Sequence, residues 1–300
     1  MEAAGHAQPQ AVPGPAPRRE SAAGRIVRTL TKAPLNIILV LIALLWLVPT
    51  FGLFLTSLMP GDLVGGQGWW TVVSEPSLAT LENYSELIQN ETITSALSTT
   101  LIVAIGGTVI PILIAASAAY AFAWLDFPGR DWLFLLVIAM LVVPLQMALI
   151  PMFKIYNTVG LFDTVWALIL YHSAFALPFA IFLLRNFFIG IPRDLLESAR
   201  IDGASELRIF VRLILPLGLP AIASLAIFQF LWTWNDFLIG LVFGGETQVI
   251  TVAIFSQFRQ FGANLDLIAP AAFVSLAVPL IVFFAFQRYF VQGLLAGSVK

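Results

Sequence analysis

The chain has 300 residues, of which 59% are hydrophobic and 11% charged, and its mean hydropathy is +0.93. This balance excludes a typical soluble protein or nucleic-acid binder and indicates one integral membrane domain, while the formal net charge of −2 carries little information. The absence of cysteine excludes disulfides, thiol catalysis and Cys-based metal sites, and two histidines are too few for a histidine-rich metal site.

Residues 1–32 form a tail rich in Ala, Pro and Gly, which we predict to be disordered and cytoplasmic. The charge-free run Ala33–Gly61 lies too far from the start for the apolar core of a signal peptide, so it predicts an uncleaved first span. An acidic loop without Lys or Arg follows, and Trp69 and Trp70 stand there where an interfacial anchor is expected.

Five further apolar segments predict an all-α integral membrane protein with six transmembrane helices. The later spans are expected at Ser95–Ala123, Trp132–Phe153, Thr164–Leu184, Leu217–Phe243 and Leu267–Gln287. Pro144 and Pro151 are expected to kink the third of the six spans, and the small residues of the second favour close helix packing. The membrane domain is expected over residues 33–291, leaving a cytoplasmic C-terminal tail at residues 292–300.

The orientation of these spans is predicted from the distribution of positive charge. Of the 15 Lys and Arg residues, all but Lys154 and Arg259 fall on one side of the membrane in this arrangement. The positive-inside rule assigns that side to the cytoplasm. Both termini and the charged insert between the fourth and fifth spans are therefore expected to be cytoplasmic.

The charged insert, residues 191–220, is predicted to form a short helix, a glycine turn and a second helix. Pro192 suits a first helical position, because its missing N–H is not needed there. Gly203 permits backbone angles that are costly for other residues, and Ser205 is placed to cap the second helix. Pro216 and Pro220 then mark the entry into the fifth span.

The spacing within the insert resembles the EAA loop of ABC importer permeases. Glu197-Ser198-Ala199 is followed by three residues, Gly203, nine residues and Leu213-Ile214-Leu215-Pro216. The family pattern is Glu-Ala-Ala, three residues, Gly, nine residues and Ile-x-Leu-Pro, so Ser198 and Leu213 depart from it conservatively. The resemblance places a coupling loop at residues 191–216 and a type I importer permease core at about residues 95–287.

Other segments are similar to carbohydrate importer permeases of the maltose type. They are Pro144-Leu145-Gln146 with Ile150-Pro151, Gly160-Leu161 with Asp163-Thr164, Leu231–Phe237 and the tail Tyr289–Lys300. This resemblance implies a binding-protein-dependent importer in a bacterial cytoplasmic membrane. Its partners would be a second homologous permease, two cytoplasmic ATPase subunits and an extracytoplasmic sugar-binding protein. The imported solute would be a sugar, and α-glucosides and related disaccharides are the expected class.

The chain itself is not expected to be an enzyme. A P-loop requires Gly-Lys-Ser/Thr, and the three lysines here follow Thr31, Phe153 and Val299. We therefore expect no cofactor in this chain, with ATP and magnesium bound by the partner ATPase.

The resemblance also implies which residues meet the ATPase. In the insert these are Glu197, Ser198, Ala199, Asp202, Gly203, Leu215 and Pro216. In the tail they are Gln292, Gly293, Gly297 and Lys300. For Glu197 the alternative is an ion pair with Arg193 or Arg200 on its own helix. For the tail the alternative is a short amphipathic end lying on the membrane surface.

A substrate path is expected where aromatic faces and hydrogen-bonding groups coincide in the apolar spans. The candidates are Gln146, Tyr171, Trp232, Trp234, Asn235 and Asp236, and His172 is a further possible lining residue. An acid at depth in a span is functional by default, although Asp236 could instead cap a helix near the outer end of the fifth span.

Two other functional classes were weighed against an importer permease. An ion-coupled secondary transporter requires acidic residues within the spans and often repeat symmetry; only Asp236 qualifies and no repeat is visible. An intramembrane enzyme requires metal ligands or an acid pair inside the spans, and neither is visible. An ABC permease for a non-sugar solute stays open as the remaining alternative.

Overall fold

The computed structural model describes residues 22–261 and 264–298, with side chains over residues 34–258 and 264–288. Every regular element in these ranges is helical, as the sequence predicts. Hydrocarbon offers no partner to backbone N–H and C=O groups, and a helix satisfies them within one segment. The chain divides after Phe51 into two compact units, which are described separately below.

The described part of the first unit belongs to helix α1, Ala22–Ser57. The helix therefore begins within the segment predicted to be disordered up to residue 32. The prolines that motivated that prediction precede Arg18, whereas residues 25–33 contain neither Gly nor Pro and include Ile26, Val27 and Leu30. From Leu35 to Phe51 the large apolar side chains of α1 are exposed, as expected for a helix surrounded by lipid or by another subunit. Residues 1–21 lie outside the described residues.

The second unit, residues 52–300, contains the end of α1 and the other described helices. These are α2 (Gly61–Val64), α3 (Trp70–Ser74), α4 (Glu82–Gln89), α5 (Glu91–Trp124), α6 (Arg130–Met140), α7 (Leu149–Val159), α8 (Val165–Ile189), α9 (Arg193–Ile201), α10 (Glu206–Ile209), α11 (Leu215–Trp234), α12 (Leu238–Phe243), α13 (Ile250–Phe261) and α14 (Leu265–Ser298). Short 3-10 helices lie at Pro76–Leu78 and Leu145–Ala148. A π-helical turn, Phe210–Ile214, joins α10 to α11.

The predicted third span is broken rather than kinked. Helix α6 ends at Met140, Pro144 is extended (φ −64°, ψ 131°), and the segment from Leu145 to Val159 turns by 94° from the α6 axis. Pro144 cannot donate a backbone hydrogen bond and disfavours helical geometry at the preceding residue. Pro151 does not kink the chain, because it lies in the first turn of α7, where backbone N–H groups have no intrahelical partner.

The predicted fifth span also differs from a single helix over Leu217–Phe243. At its start, α10, the π-helical turn and α11 form one continuous apolar segment from Glu206 to Trp234, so the second helix of the charged insert is the first part of the span. At its end, the chain leaves helical geometry at Asn235 and resumes in α12. The described chain thus has five helices long and apolar enough to cross a membrane, and six spans if the bent α6–α7 pair is counted.

The core of the second unit is formed by α5, which packs along α8 and α11, while α14 packs on α11. The prediction of close packing through small residues is confirmed, because Ala104, Ala115 and Ala119 are fully buried on α5. A Cβ atom added at Gly107 would lie 3.2 Å from both His172 Cβ on α8 and Thr233 Cγ2 on α11. Helices α5, α8 and α11 therefore meet at a position where glycine permits the close approach.

Candidate coupling elbow and transport cavity

The charged insert forms the predicted helix, glycine turn and second helix, with a sharp turn that we call the coupling elbow, residues 193–209. Pro192 is the N-cap of α9, with an extended ψ of 129°, and the first helical position belongs to Arg193 instead. Helix α9 ends at Ile201, and Gly203 has a φ of +78°, in the left-handed region that glycine occupies without strain. The Ala204 N–H donates to the Ala199 carbonyl, and the Gly203 N–H donates to the Arg200 carbonyl. These two bonds form a Schellman motif, which satisfies the last carbonyls of α9.

The second arm of the elbow begins with the predicted cap. The Ser205 hydroxyl accepts a hydrogen bond from the Arg208 N–H, and α10 starts at the next residue, Glu206. Leu215 and Pro216 lie further along, in the first turn of α11. Because α10 continues through the π-helical turn into α11, the second arm of the elbow and a membrane-spanning helix are one continuous segment.

The coupling residues expected from the sequence form the outer surface of the elbow. Glu197, Ser198, Asp202 and Gly203 are exposed, and Ala199 is partly buried. The fully buried Leu196 on the inner face fixes α9 to the core. The elbow also carries two exposed apolar side chains that the family motif does not single out, Ile201 at 86% and Leu207 at 72% exposure.

Glu197 pairs with Arg193 on its own helix, one of the two alternatives given above. The Arg193 Nε and Glu197 Oε1 atoms are 2.9 Å apart, and both side chains are more than half exposed. An exposed pair of this kind contributes on the order of 0.5 kcal/mol, so a partner subunit can replace it at small cost.

Arg200 has a different partner, Glu206, across the glycine turn. Arg200 Nε lies 2.9 Å from Glu206 Oε1, and the pKa of Arg200 is raised, chiefly by this hydrogen bond. The other carboxylate oxygen of Glu206 accepts a hydrogen bond of 2.5 Å from the Tyr120 hydroxyl on α5. Arg200 also donates to the carbonyl of Trp124, the last residue of α5. These contacts connect both arms of the elbow to one helix of the core.

A cavity of about 1230 Å³ extends from the elbow into the helical core between α8 and α11. Pro192 and Leu195 line it at the elbow, and Gly190 and Ile191 lie beside them. Aromatic side chains form much of its wall, among them Phe175, Phe179 and Phe228. Its polar lining includes His172, Asn186, Ser224, Gln229 and Trp232. The arrangement is that of a solute passage with an apolar wall and a few hydrogen-bonding groups.

The structure brings only one of the six expected substrate-path residues into this lining, namely Trp232, which is 65% exposed. Trp234 is buried and donates its indole N–H to the Ser275 carbonyl, while Tyr171 is buried and donates to the Leu145 carbonyl. The Asn235 amide donates to the Leu231 carbonyl one turn earlier. Gln146 is exposed, in the 3-10 turn of the broken third span, and does not line the cavity.

Asp236 acts as a helix cap in this structure. Its Oδ2 atom accepts hydrogen bonds from the Ile239 and Gly240 N–H groups at the start of α12, at 3.0 and 3.1 Å. The His172 Nε2 atom is 3.8 Å from the same oxygen, too far for a hydrogen bond. The capping alternative therefore accounts for this acid, which lies outside the cavity lining.

Asn186, Ser224 and Gln229 are polar cavity residues that sequence reasoning missed, and Gln229 shows how its helix is held. The Gln229 amide donates to the Gly107 carbonyl on α5 and to the Thr233 hydroxyl, at 3.1 and 3.2 Å. A glutamine inside a charge-free span is a signal that the sequence offered, because polar side chains there pair with neighbouring helices or line a path. His172, a further possible lining residue, is buried and borders the cavity.

The tail residues expected to meet the ATPase are only partly described. Helix α14 continues through Gln292, Gly293 and Gly297 to Ser298, so the backbone of the expected tail is helical. The side chains of residues 289–298 are not described, and Lys300 lies outside the described residues. Among the residues with described side chains, no three His, Cys, Asp or Glu groups are arranged to hold a metal ion.

Comparison with known proteins identifies the family. Residues 112–295 match the family described as "Binding-protein-dependent transport system inner membrane component". The match covers more than half of the chain, which therefore belongs to this family, the inner-membrane permease subunits of ABC importers. Such subunits are transport components rather than enzymes.

Several relatives are similar over most of this chain. The osmoprotective compounds uptake permease protein GgtD of Synechocystis sp. is 48% identical over 276 residues, 90% of this chain and 92% of that protein. The alpha-glucoside transport system permease protein AglG of Rhizobium meliloti is 51% identical over 243 residues, 78% of this chain. That match spans 64% of AglG, less than two thirds of its length. The trehalose transport system permease protein SugB of Mycobacterium tuberculosis is 38% identical over 75% of this chain and 84% of its own.

Solved structures confirm the fold. A bacterial ABC transporter that imports the acidic polysaccharide alginate matches with a TM-score of 0.71 and 21% identity, over 90% of this chain and 98% of that chain. A bacterial alginate ABC transporter in complex with an alginate pentasaccharide-bound periplasmic protein matches with a TM-score of 0.63 and 18% identity, over 88% of this chain and 96% of that chain. At these identities the likeness establishes the importer permease fold alone.

The cap assigned to Asp236 predicts different outcomes for two substitutions. Asp236→Ala removes the acceptor for two N–H groups and should lower the stability of the purified permease complex by about 1–2 kcal/mol. Asp236→Asn keeps an oxygen acceptor and should retain most of that stability. Thermal unfolding in detergent measures both, and Asp62→Ala on the exposed surface serves as the control. Loss of transport in Asp236→Asn at unchanged stability would instead indicate contact with the solute.

Proposed function

We propose that this chain is one of the two membrane-spanning subunits of an ATP-driven importer for α-glucosides and related small sugars. The observation that carries the proposal is the cavity, which extends from the coupling elbow into the core and is lined by aromatic side chains and a few polar groups. Three features agree with a sugar as the solute: the aromatic wall, the exposed Trp232 and the 51% identity to a permease named for α-glucoside transport.

The complete transporter would contain this chain, a second permease, two cytoplasmic ATPase subunits and an extracytoplasmic sugar-binding protein. Both termini and the elbow would face the cytoplasm, and ATP and magnesium would be bound by the ATPase rather than by this chain. The exposed Ile201 and Leu207 support an ATPase contact at the elbow, because apolar side chains in water favour a protein partner. Closure of the ATPase pair would push on the elbow and rock the spans, a rigid-body switch driven at an interface.

The C-terminal end is proposed as a second contact with the ATPase. Helix α14 continues to Ser298, ten residues beyond Arg288, the first charged residue after the apolar run that starts at Leu267. An apolar sequence in that extension, with Phe290, Val291, Leu294 and Leu295, needs a covering partner once it has left the bilayer. Gln292, Gly293, Gly297 and Lys300 would belong to that contact.

The solute class is tested by transport with the reconstituted complex in proteoliposomes. We expect ATP-dependent uptake of radiolabelled α-linked disaccharides such as maltose, sucrose or trehalose, and none without the binding protein. The similarity to a permease named for osmoprotective compounds makes a non-sugar osmolyte, glycine betaine, an informative member of the panel. Uptake of glycine betaine with no sugar uptake would contradict the sugar assignment while leaving the importer class intact.

Trp232 is proposed to stack on the CH face of the sugar. Trp232→Ala should raise the half-saturating sugar concentration about tenfold, because an aromatic contact of this kind contributes about 1 kcal/mol or more. Trp232→Phe should retain much of the affinity, since it keeps an aromatic face. Trp132→Ala removes a similarly exposed tryptophan outside the cavity lining and should leave uptake unchanged. Equal uptake by wild-type and Trp232→Ala transporters would remove Trp232 from the sugar path.

Gly203 allows the coupling role of the elbow to be tested. A Cβ added at Gly203 meets no atom within 4 Å, so a substitution there strains only the backbone. Gly203→Val forces a β-branched residue to a positive φ at a cost of about 2 kcal/mol and should distort the turn. The complex should assemble, but sugar uptake should fall relative to ATP hydrolysis. Gly65→Val, at an open position with negative φ, is the matched control. Normal coupling in Gly203→Val would show that elbow geometry does not matter.

A further inference from the structure

The elbow changes direction at Gly203, where no side chain can hold the two arms together. Gly203 is exposed and has a positive φ, and a Cβ added there would meet no atom within 4 Å. Leu196 anchors α9 in the core and Ile209 anchors the end of α10, whereas the turn between them is joined by backbone hydrogen bonds. A side-chain connection across the turn would strengthen the transmission of a displacement from α9 into α10 and α11.

Arg200 and Glu206 provide such a connection. They lie three residues before and three residues after Gly203, and their side chains meet at 2.9 Å and 3.3 Å. With exposures of 35% and 44%, both side chains are more enclosed than the Arg193–Glu197 pair on the same surface, at 74% and 52%. The Arg200–Glu206 pair thus closes the glycine turn as a brace.

The brace is also attached to the core. The Tyr120 hydroxyl donates to Glu206, and Tyr120 itself is only 5% exposed on α5, against Phe210. Arg200 donates to the carbonyl of Trp124 at the end of the same helix, at 3.5 Å. An exposed ion pair can form without a buried tyrosine beside it. The hydrogen bond from the buried Tyr120 hydroxyl to the Glu206 carboxylate is charge-assisted, and such a bond is stronger than one between exposed groups.

We propose that Arg200, Glu206 and Tyr120 form a positioning brace that makes the elbow a rigid lever and transmits its displacement to α5 as well as to α11. This inference rests on the proposed function, because it assigns the brace a role in coupling ATP hydrolysis to transport. None of these three residues is proposed to contact the transported solute. They act by holding α9 at a fixed angle to the helices that line the cavity.

The test uses the complete complex of permeases, ATPase and binding protein in proteoliposomes. Glu206→Gln weakens the ion pair, and Tyr120→Phe removes only the hydroxyl that ties the brace to α5. Tyr84→Phe is the matched control, because it deletes a tyrosine hydroxyl that lies 2.6 Å from Ser57 Oγ, far along the chain from the elbow. Two quantities are measured: sugar molecules imported per ATP hydrolysed, and amide hydrogen exchange across residues 193–209.

We expect normal assembly of all three variants. Glu206→Gln and Tyr120→Phe should lower the sugar imported per ATP by about threefold or more, and Glu206→Gln should speed exchange at the Gly203 and Ala204 amides by about tenfold. Tyr84→Phe should match the wild type in both measurements. Because Tyr120→Phe leaves every charge in place, its effect on coupling would show that the attachment to α5 matters.

Two results would overturn the proposal. The first is a wild-type ratio of sugar imported to ATP hydrolysed in both Glu206→Gln and Tyr120→Phe. The second is reduced assembly of these variants with an unchanged ratio in the complexes that do form, because the contacts would then serve assembly alone. A wild-type complex that imports no sugar would contradict the proposed function itself. In that case an unchanged exchange rate in Glu206→Gln would still refute a rigid brace.

Discussion

The close contact of α5 with α8 and α11 is the interaction on which the rest of the structure depends. It is possible because α5 presents Ala104, Gly107, Ala115 and Ala119 to its neighbours rather than large side chains. In hydrocarbon no hydrophobic force drives helices together, so packing of small residues and interhelical hydrogen bonds must hold them. The bond from Gln229 on α11 to the Gly107 carbonyl on α5 supplies one of these at the glycine where the three helices meet. The contact thereby fixes α8 and α11, which form much of the cavity wall.

One continuous segment connects the two functional regions. From Glu206 at the elbow to Trp232 in the cavity, the chain runs through α10, the π-helical turn and α11 without leaving helical geometry. The wider π turn ends at Ile214, two residues before Pro216, where a regular helix would lose a hydrogen bond to the missing N–H. A displacement at the elbow would therefore reach the polar groups of the cavity along one continuous helical segment. The brace around Gly203 complements this arrangement, since it joins the first arm of the elbow to the same element.

The cavity combines a large apolar wall with few polar groups. Solutes that must pass through a protein cannot be held as tightly as in a binding protein, so weak contacts spread along an aromatic surface suit a transport subunit. The polar residues that are present come from α8 and α11, the helices fixed by α5. In a two-permease importer the second subunit would supply the facing half of the passage.

The amino-acid sequence by itself determined the membrane class, the helical content and the elbow, because each follows from local chemistry. Charge-free runs must form helices in a bilayer, and Gly203 and Ser205 act on their immediate neighbours. The sequence also contained the information for the break in the third span, because Pro144 acts on its immediate neighbours. The length of the apolar run nevertheless favoured one kinked helix there. The partners of polar side chains were decided only by tertiary structure. Trp232 and Trp234 are two residues apart, yet one lines the cavity and the other bonds to Ser275 on α14, since helix geometry turns them to different faces. Likewise, Glu206 bonds to Tyr120 and Gln229 bonds to Gly107, although the partners in each pair are more than eighty residues apart in the chain. Only the packing of the helices brings these partners together.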